Sequence, residues 1–410
     1  MIFTIPRNAA LAAFALATLA LAAPANAAYT FVSVAEITDI APGGGIFTGF
    51  ALPAISGNTV AFSGTYNGDA SQGIFTASSG GGGLLTTVVT SGSAAPTGTF
   101  DVFGNPSLSG NTAAFTGEYG GNNTTGIFTG SGGDLTTIAA AGDAAPVGTF
   151  DSLINPAISG NTTAFVSFYN GSSRGIFAGN GGALTTVAAT GDAAPVGTFD
   201  FFFSTAISGN TTAFRATYNN FLGDSIFAKT GDVLTTVVSS GDVAPVGTFS
   251  DFSSLSLSGD TAAFLGLYDT GNGSGVFAGN GNGAPTAIAV TGDTAPVGTF
   301  IGFDAVAISG NTVVFLGTYG DGSAGVFSST NGVLTSVILT GDTTFGSPVT
   351  GLSFGQFGAD GDNLAFGYTL ADETQGVAIA SFGAVVVPEP GAGLLALLAL
   401  PVVVFVRRRR

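Results

Sequence analysis

The sequence predicts an all-β protein: a seven-bladed β-propeller of four-stranded blades, closed by its own N-terminal strand. Three observations predict it. A unit of about 50 residues is written seven times. Each copy divides into four short apolar runs separated by turn residues. The copies are also cut out of phase at the two ends, with a spare strand before the first and a missing strand after the last.

The period is read from the last aromatic of an ISGNTxAF segment: Phe62, Phe115, Phe165, Phe214, Phe264, Phe315 and Phe366. The steps between them are 53, 50, 49, 50, 51 and 51 residues. So even a spacing means one supersecondary unit repeated in space, each copy unable to bury its apolar faces alone. The third copy shows the parts in order. Pro156 to Ser159 is the first strand, and a Ser-Gly-Asn turn follows, Gly and Asn tolerating the positive φ of a hairpin. Thr162 to Tyr169 is the second strand; alternation puts Phe165, Ser167 and Tyr169 on one face and Ala164 and Val166 on the other. Gly175 to Ala178 is the third and Leu184 to Ala189 the fourth. Gly191-Asp192-Ala193-Ala194-Pro195 then starts the connection onward.

Both faces of these strands are apolar, so each sheet needs a neighbour on both sides. The residue two after the marker Phe is small (Gly64, Gly117, Ser167, Ala216, Gly266, Gly317), which is expected to let the next sheet approach. Burying one marker Phe per copy stabilises by about 2–3 kcal/mol. At the start of the chain, Phe31 to Pro42 aligns with LTTVAATGDAAP, a fourth strand with no blade ahead of it. The seventh copy supplies Leu352 to Phe357, Leu364 to Leu370 and Val377 to Ala380, and lacks its fourth. The spare strand fits the vacant place and closes a ring. A β-solenoid or linear repeat array is the competing architecture, but it has no use for the offset.

Composition narrows the chemistry. The 410 residues include 66 Gly and 36 Phe but no Cys, His or Trp. That excludes disulfides, thiol chemistry, a Ser-His nucleophile and the commonest transition-metal ligand. Carboxylate-only catalysis survives. Outside the terminal segments, only Arg174, Arg215 and Lys229 face 24 carboxylates, a balance of −21. Such a surface repels phosphates and anionic lipid and keeps an apolar-rich chain soluble, so no nucleic-acid partner is expected.

The ends read as targeting segments around a body of residues 28–387. Residues 1–27 form a secretory signal: Arg7 is the positive start, Ala9 to Ala22 the apolar run, and Ala25-Asn26-Ala27 the small-x-small site, with cleavage before Ala28. At the other end, Pro388-Glu389-Pro390 precedes an apolar run over 391–406 and then Arg407, Arg408, Arg409 and Arg410. As a helix that run spans about 24 Å, a little short of a hydrocarbon core of about 30 Å. The arginines would hold their end cytoplasmic.

Segment 388–410 resembles the PEP-CTERM sorting signal of Gram-negative bacteria: motif, membrane segment and basic stop in order. The resemblance implies a partner, an exosortase-type membrane protease that removes the tail. It also implies transient anchoring in the inner membrane, membrane contact through this segment alone, and delivery to the cell surface or extracellular matrix, often within exopolysaccharide. A plain single-span anchor is the simpler reading. Over residues 30–380, ISGNTxxF, GIF, LTT and GDxAP also resemble a family of bacterial tandem-repeat proteins, often bearing such tails. The seventh copy departs from it, with Thr343-Thr344-Phe345 in place of Ala-Pro and no GIF aromatic.

No catalytic residue and no metal ligand set emerges. An acid recurs in phase at Asp39, Asp143, Asp192, Asp242, Asp293 and Asp342, with Ser93 in one place. As a ring near one rim it is a candidate for Ca²⁺, the one cofactor the pattern allows; as a Gly-Asp turn it is structural. Asp360-Gly361-Asp362 and Asp372-Glu373 read as turns. Gly80 to Gly83 lacks the residues of a phosphate loop. Tyr66, Tyr119, Tyr169, Tyr218, Tyr268 and Tyr319 either stack on sugar rings or pack at a rim with a wet hydroxyl. Arg174, Arg215 and Lys229 read as single ion pairs or exposed charges. The expected function is a non-enzymatic surface or matrix protein that binds multivalently, exopolysaccharide being the candidate partner, or acts structurally. The alternative is a secreted carbohydrate-binding or carbohydrate-active propeller.

Overall fold

The computed structural model describes residues 29–78, 84–121 and 124–382. The signal segment 1–27 with Ala25, Ala27 and Ala28, the sorting motif Pro388 to Pro390, the helix over 391–406 and the four terminal arginines lie outside the described residues. Among the described residues no helix is long and apolar enough to cross a membrane.

The chain forms seven antiparallel sheets arranged as a ring, a β-propeller. In the fourth blade the strands are Phe199–Ser208, Thr211–Tyr218, Gly223–Thr230 and Val233–Ser239, hydrogen-bonded in that order. Successive inner strands touch one another around the ring, and the last, Ala359–Asp360, meets the first, Ala54–Ser56. The ring is therefore closed.

The seam is the one the phase offset predicts. Strand Tyr29–Glu36 pairs antiparallel with Gln375–Phe382, from Tyr29 opposite Phe382 to Glu36 opposite Gly376. It is the outermost strand of the seventh blade, whose other strands are Asn363–Leu370 and an inner strand in two pieces, Val349–Ser353 and Ala359–Asp360.

The core is seven layers, each the aromatic face of one blade against the aliphatic face of the blade before. Phe199, Phe202, Phe214 and Phe227 of the fourth blade, for instance, pack on Val166, Ile176 and Ala188 of the third. All seven marker phenylalanines are fully buried. The second-strand alternation read from the sequence is what separates the two faces.

Two expectations need correcting. The inner strand is longer than its PAIS segment: in the third blade it runs Gly148–Ser159, bulging between Ile154 and Ala157, with Asn155 at φ 54°. The TFD stretch thus belongs to the sheet, and Phe150 is one of its core rings. The small residue after the marker Phe, in turn, makes room for rings of its own blade, not for the next sheet. A Cβ on Gly117 would lie 2.8 Å from Phe100 and 3.2 Å from Phe128, both in the second blade. Rings from the first and third strands meet over that position, 4.9 Å between centroids and nearly perpendicular.

The seventh blade solves the same packing problem with different residues. Val349 and Ala378 stand where the other blades have the first- and third-strand phenylalanines, and Tyr368 stands where they have the small residue. The Tyr368 ring lies over Gly376, as the third-strand Phe lies over the matching glycine elsewhere. It stacks on Phe345 at 4.2 Å, and Phe31 from the closing strand adds an edge contact to Phe345. The Tyr368 hydroxyl donates to Glu36 at 2.7 Å and pairs with Ser33 at 2.9 Å, tying the closing strand to the blade.

Candidate functional site

The polar residues that recur in every copy hold the ring together. In each Ser-Gly-Asn or Ser-Gly-Asp turn the serine accepts a hydrogen bond from the glycine N–H of the following blade. Gly110 donates to Ser56, Gly160 to Ser109, Gly209 to Ser159, Gly259 to Ser208 and Gly310 to Ser258, each at 2.9 Å, and Gly361 to Ser309 at 2.8 Å. Asp360 takes the seventh place and closes the circle, accepting from Gly57 N–H at 2.6 Å and from the Ser56 hydroxyl at 3.3 Å. These glycines sit at φ 56–59°, a left-handed conformation that a side chain disfavours.

A second set of staples starts two residues before the third-strand Ile-Phe. Gln72 exchanges hydrogen bonds with Phe103 of the next inner strand. Thr125 accepts from Leu153 N–H at 2.9 Å. Arg174 donates to Phe202 O at 2.8 Å, its guanidinium 3.6 and 3.7 Å from the ring centroids of Phe168 and Phe201. Burial pushes the Arg174 guanidinium below its usual value. Arg215 pairs with Asp224 of its own blade at 2.6 Å and reaches Asp251 of the next. Burial outweighs that pairing and raises the Asp224 carboxyl above the usual carboxylate value. Lys229 donates to Val187 O of the preceding blade at 2.7 Å. None of the three body cations is a free surface charge; each joins two blades.

The recurring acids are turn residues. The Asp143, Asp192, Asp242, Asp293 and Asp342 carboxylates accept from the backbone N–H three residues earlier, at 2.8–3.0 Å. Asp39 does the same to Glu36, and Ser93 substitutes with a hydroxyl to Thr90 N–H. The carboxylates thus belong to separate turns, and no group of three acids is placed to hold a metal among the described residues. The recurring tyrosines are not sugar platforms either. Tyr119 and Tyr169 are buried with their rings edge-on to Phe128 and Phe177. Burial and the nearby charges of Asp143 and Asp192 raise both phenols above their usual value. Asp360-Gly361-Asp362 is a hairpin turn, as expected, but its first acid also closes the serine circle.

A concave site lies in the mouth of the central channel. The seventh inner strand breaks between Ser353 and Ala359, and Phe354 to Gly358 crosses the axis there. Gln356 O accepts from the Ser256 hydroxyl at 2.9 Å, its amide reaches Thr205 O at 3.5 Å, and Phe357 O accepts from Ile55 N–H at 2.9 Å. Gln356 and Phe357 line the cavities on both sides and so plug the channel. On the side of the N-terminal halves of the inner strands lies a cavity of about 520 Å³, walled by residues such as Leu52, Asn105, Asn155, Ser204, Ser254 and Asp304. Sequence reasoning missed this site. Its only signal was the irregular SFGQFGAD stretch of the last copy.

Fold and site define a class: a seven-bladed propeller with a strand-sealed ring and a channel blocked from within. The sequence matches the profile of DUF7453, a family of unknown function, over residues 21–168 and again over 112–360, and the chain belongs to that family. No curated protein matches it. Among solved structures it is similar to the β-propeller domain of the Trilobed protease from Pyrococcus furiosus, described as having an open velcro topology. The TM-score is 0.53 at 11% identity, covering 82% of this chain and 96% of that one. It is also similar to one of two prolyl endopeptidases, with a TM-score of 0.49 at 13% identity over 81% of this chain; it spans 47% of that enzyme. TolB from Acinetobacter baumannii matches with a TM-score of 0.42 at 15% identity, over 68% of this chain and 63% of that one. Propeller domains of peptidases are thus among the structural neighbours, at identities that speak to fold alone.

Proposed function

We propose that the protein is an exported, non-enzymatic propeller of the bacterial surface or extracellular matrix, serving as a multivalent or structural element in exopolysaccharide. Residues 1–27 direct export. An exosortase-type protease recognises Pro388-Glu389-Pro390 and removes the tail, with Arg407 to Arg410 as its cytoplasmic stop. The observation that carries the non-enzymatic part is where the repeated polar groups are spent. Serines, aspartates, tyrosines and all three body cations are engaged in turns and blade-to-blade staples. Such a chain invests its chemistry in rigidity. The body's charge of −21 supports a solvated life outside the cell rather than docking on anionic lipid.

The test is fractionation of the producing cell, with mass spectrometry of the mature C-terminus. The expected product is at the surface or in the medium and ends upstream of residue 391. A surface product that still ends at Arg410 overturns the sorting step. A glycan array with the mature protein is expected to show weak, density-dependent binding. Release of sugar from any polysaccharide by the pure protein would replace this reading with the carbohydrate-active one.

A further inference from the structure

The channel-mouth cavity stands apart from the rest of the ring in three ways. Its floor is closed by Gln356 and Phe357, so it is a blind pocket rather than a pore, and its 520 Å³ lies in the range of small-molecule sites. Its lining also differs from copy to copy. Four residues beyond, six copies carry the same serine. At the cavity the same strands carry amides at Asn105 and Asn155, hydroxyls at Ser204 and Ser254, and aliphatic groups at Leu52 and Ala305. Copies that keep the serine four residues on and vary at the cavity give that void an asymmetric lining.

The third feature is charge. Asp304 occupies a position that is Ala51, Gly104 or Ile154 in other copies, and Glu118 one that is Thr65, Thr217 or Thr318. Both carboxylates line the cavity, and neither has a hydrogen-bond or ion-pair partner among the described residues. No Lys or Arg lines it. Glu118 is half-buried and Asp304 exposed, and two carboxylates on one cavity with no counter-charge beside them favour a cation there. The half-buried ring of Phe357 at the floor is a suitable neighbour for the same charge. A hard metal ion is a poor match, since it needs six to eight oxygens and the walls include Leu52, Pro53, Ile154 and Ala305.

We propose that this cavity is a binding site for an organic cation: an ammonium or guanidinium group, drawn by the carboxylates of Glu118 and Asp304, on an apolar stem that lies against the aliphatic lining. Anions are rejected by the two carboxylates and by the net charge of the body.

The test is calorimetric titration of the full mature protein with n-hexylamine, n-hexanol, n-hexanoate and cellobiose. Hexylamine is expected to bind once per chain, at least about tenfold more tightly than hexanol or hexanoate. Glu118→Gln combined with Asp304→Asn, which breaks no hydrogen bond seen in the structure, is expected to weaken hexylamine about tenfold or more while the thermal transition stays in place. Should that variant not fold, the unaltered protein decides: hexylamine affinity is expected to fall as salt is raised from about 0.02 to 0.5 M. Hexylamine no tighter than hexanol, an affinity indifferent to both the variant and salt, or cellobiose bound more tightly than hexylamine would each overturn the proposal.

Discussion

Exchanging two residues in the seventh blade tests the packing account most sharply. Five blades fill the space over the third-strand glycine with a Phe from that strand, the fourth does the same over Ser225, and all six keep a small residue opposite; the seventh uses Tyr368 and keeps Ala378 small. Tyr368 is 3% exposed. Tyr368→Gly therefore empties a ring-sized site and is expected to cost about 4 kcal/mol. Ala378→Phe alone drives a second ring into the space Tyr368 fills and is expected to cost about 2 kcal/mol. Independent effects would sum to about 6 kcal/mol. Together the two changes recreate the arrangement of the other blades, so only secondary losses remain. These are the hydroxyl's bonds to Ser33 and Glu36, about 1 kcal/mol, and the stack on Phe345, about 1 kcal/mol. The double variant is thus expected to cost about 2 kcal/mol, a coupling of about 4 kcal/mol, above the range of about 0.5–3 kcal/mol usual for touching residues. Guanidinium unfolding with unchanged slope reads all three variants. Additive costs would refute the claim that the seventh blade carries the same ring by another route.

Three further outcomes follow from the same contacts. Asp360→Ala is expected to cost about 2 kcal/mol and to speed hydrogen exchange at the Gly57 amide, against about 1 kcal/mol for Ser159→Ala, because the seam bond alone is charge-assisted; equal costs would count against a special role at closure. Asp192→Ala and Asp242→Ala are expected to lower the melting temperature equally with and without chelator, because each carboxylate caps a turn; a loss seen only without chelator would restore the calcium reading. The folded phenols of Tyr29, Tyr119, Tyr169, Tyr319 and Tyr368 are raised by burial above the ordinary value of 10. The folded state holds these protons more tightly, so their contribution is complete below about pH 10 and is lost as pH rises through the folded values. A pH series is expected to show stability falling only above that point, and less steeply in Tyr368→Phe.

Period, strand count and phase offset were legible because each is a one-dimensional pattern. A propeller blade is local in sequence, so alternation around Phe165 already sorted the residues of that strand into two faces. The spare strand at Tyr29–Glu36 was legible for the same reason, as a fourth-strand motif with no preceding copy. The roles of the polar residues were not. The bond from Gly209 to Ser159 joins residues 50 apart and exists only once neighbouring turns are stacked. Nothing along the chain marks a serine as a staple rather than a turn former. The sequence likewise marks Gly117 as small without naming the neighbour it makes room for, because which ring fills a gap depends on where two strands bring their side chains together.

The sequence by itself settled that seven like units are joined, that each is a four-stranded sheet, and that the first strand completes the last sheet. Only the tertiary structure decided that Tyr368 and Phe345 replace the missing phenylalanines, that Arg174 and Arg215 lie between blades, and that Phe354 to Gly358 crosses the axis and turns a pore into a pocket. The physical reason is range. Periodicity encodes which residues face inward, whereas close packing and hydrogen bonding across the ring are set by atoms that become neighbours only when it closes.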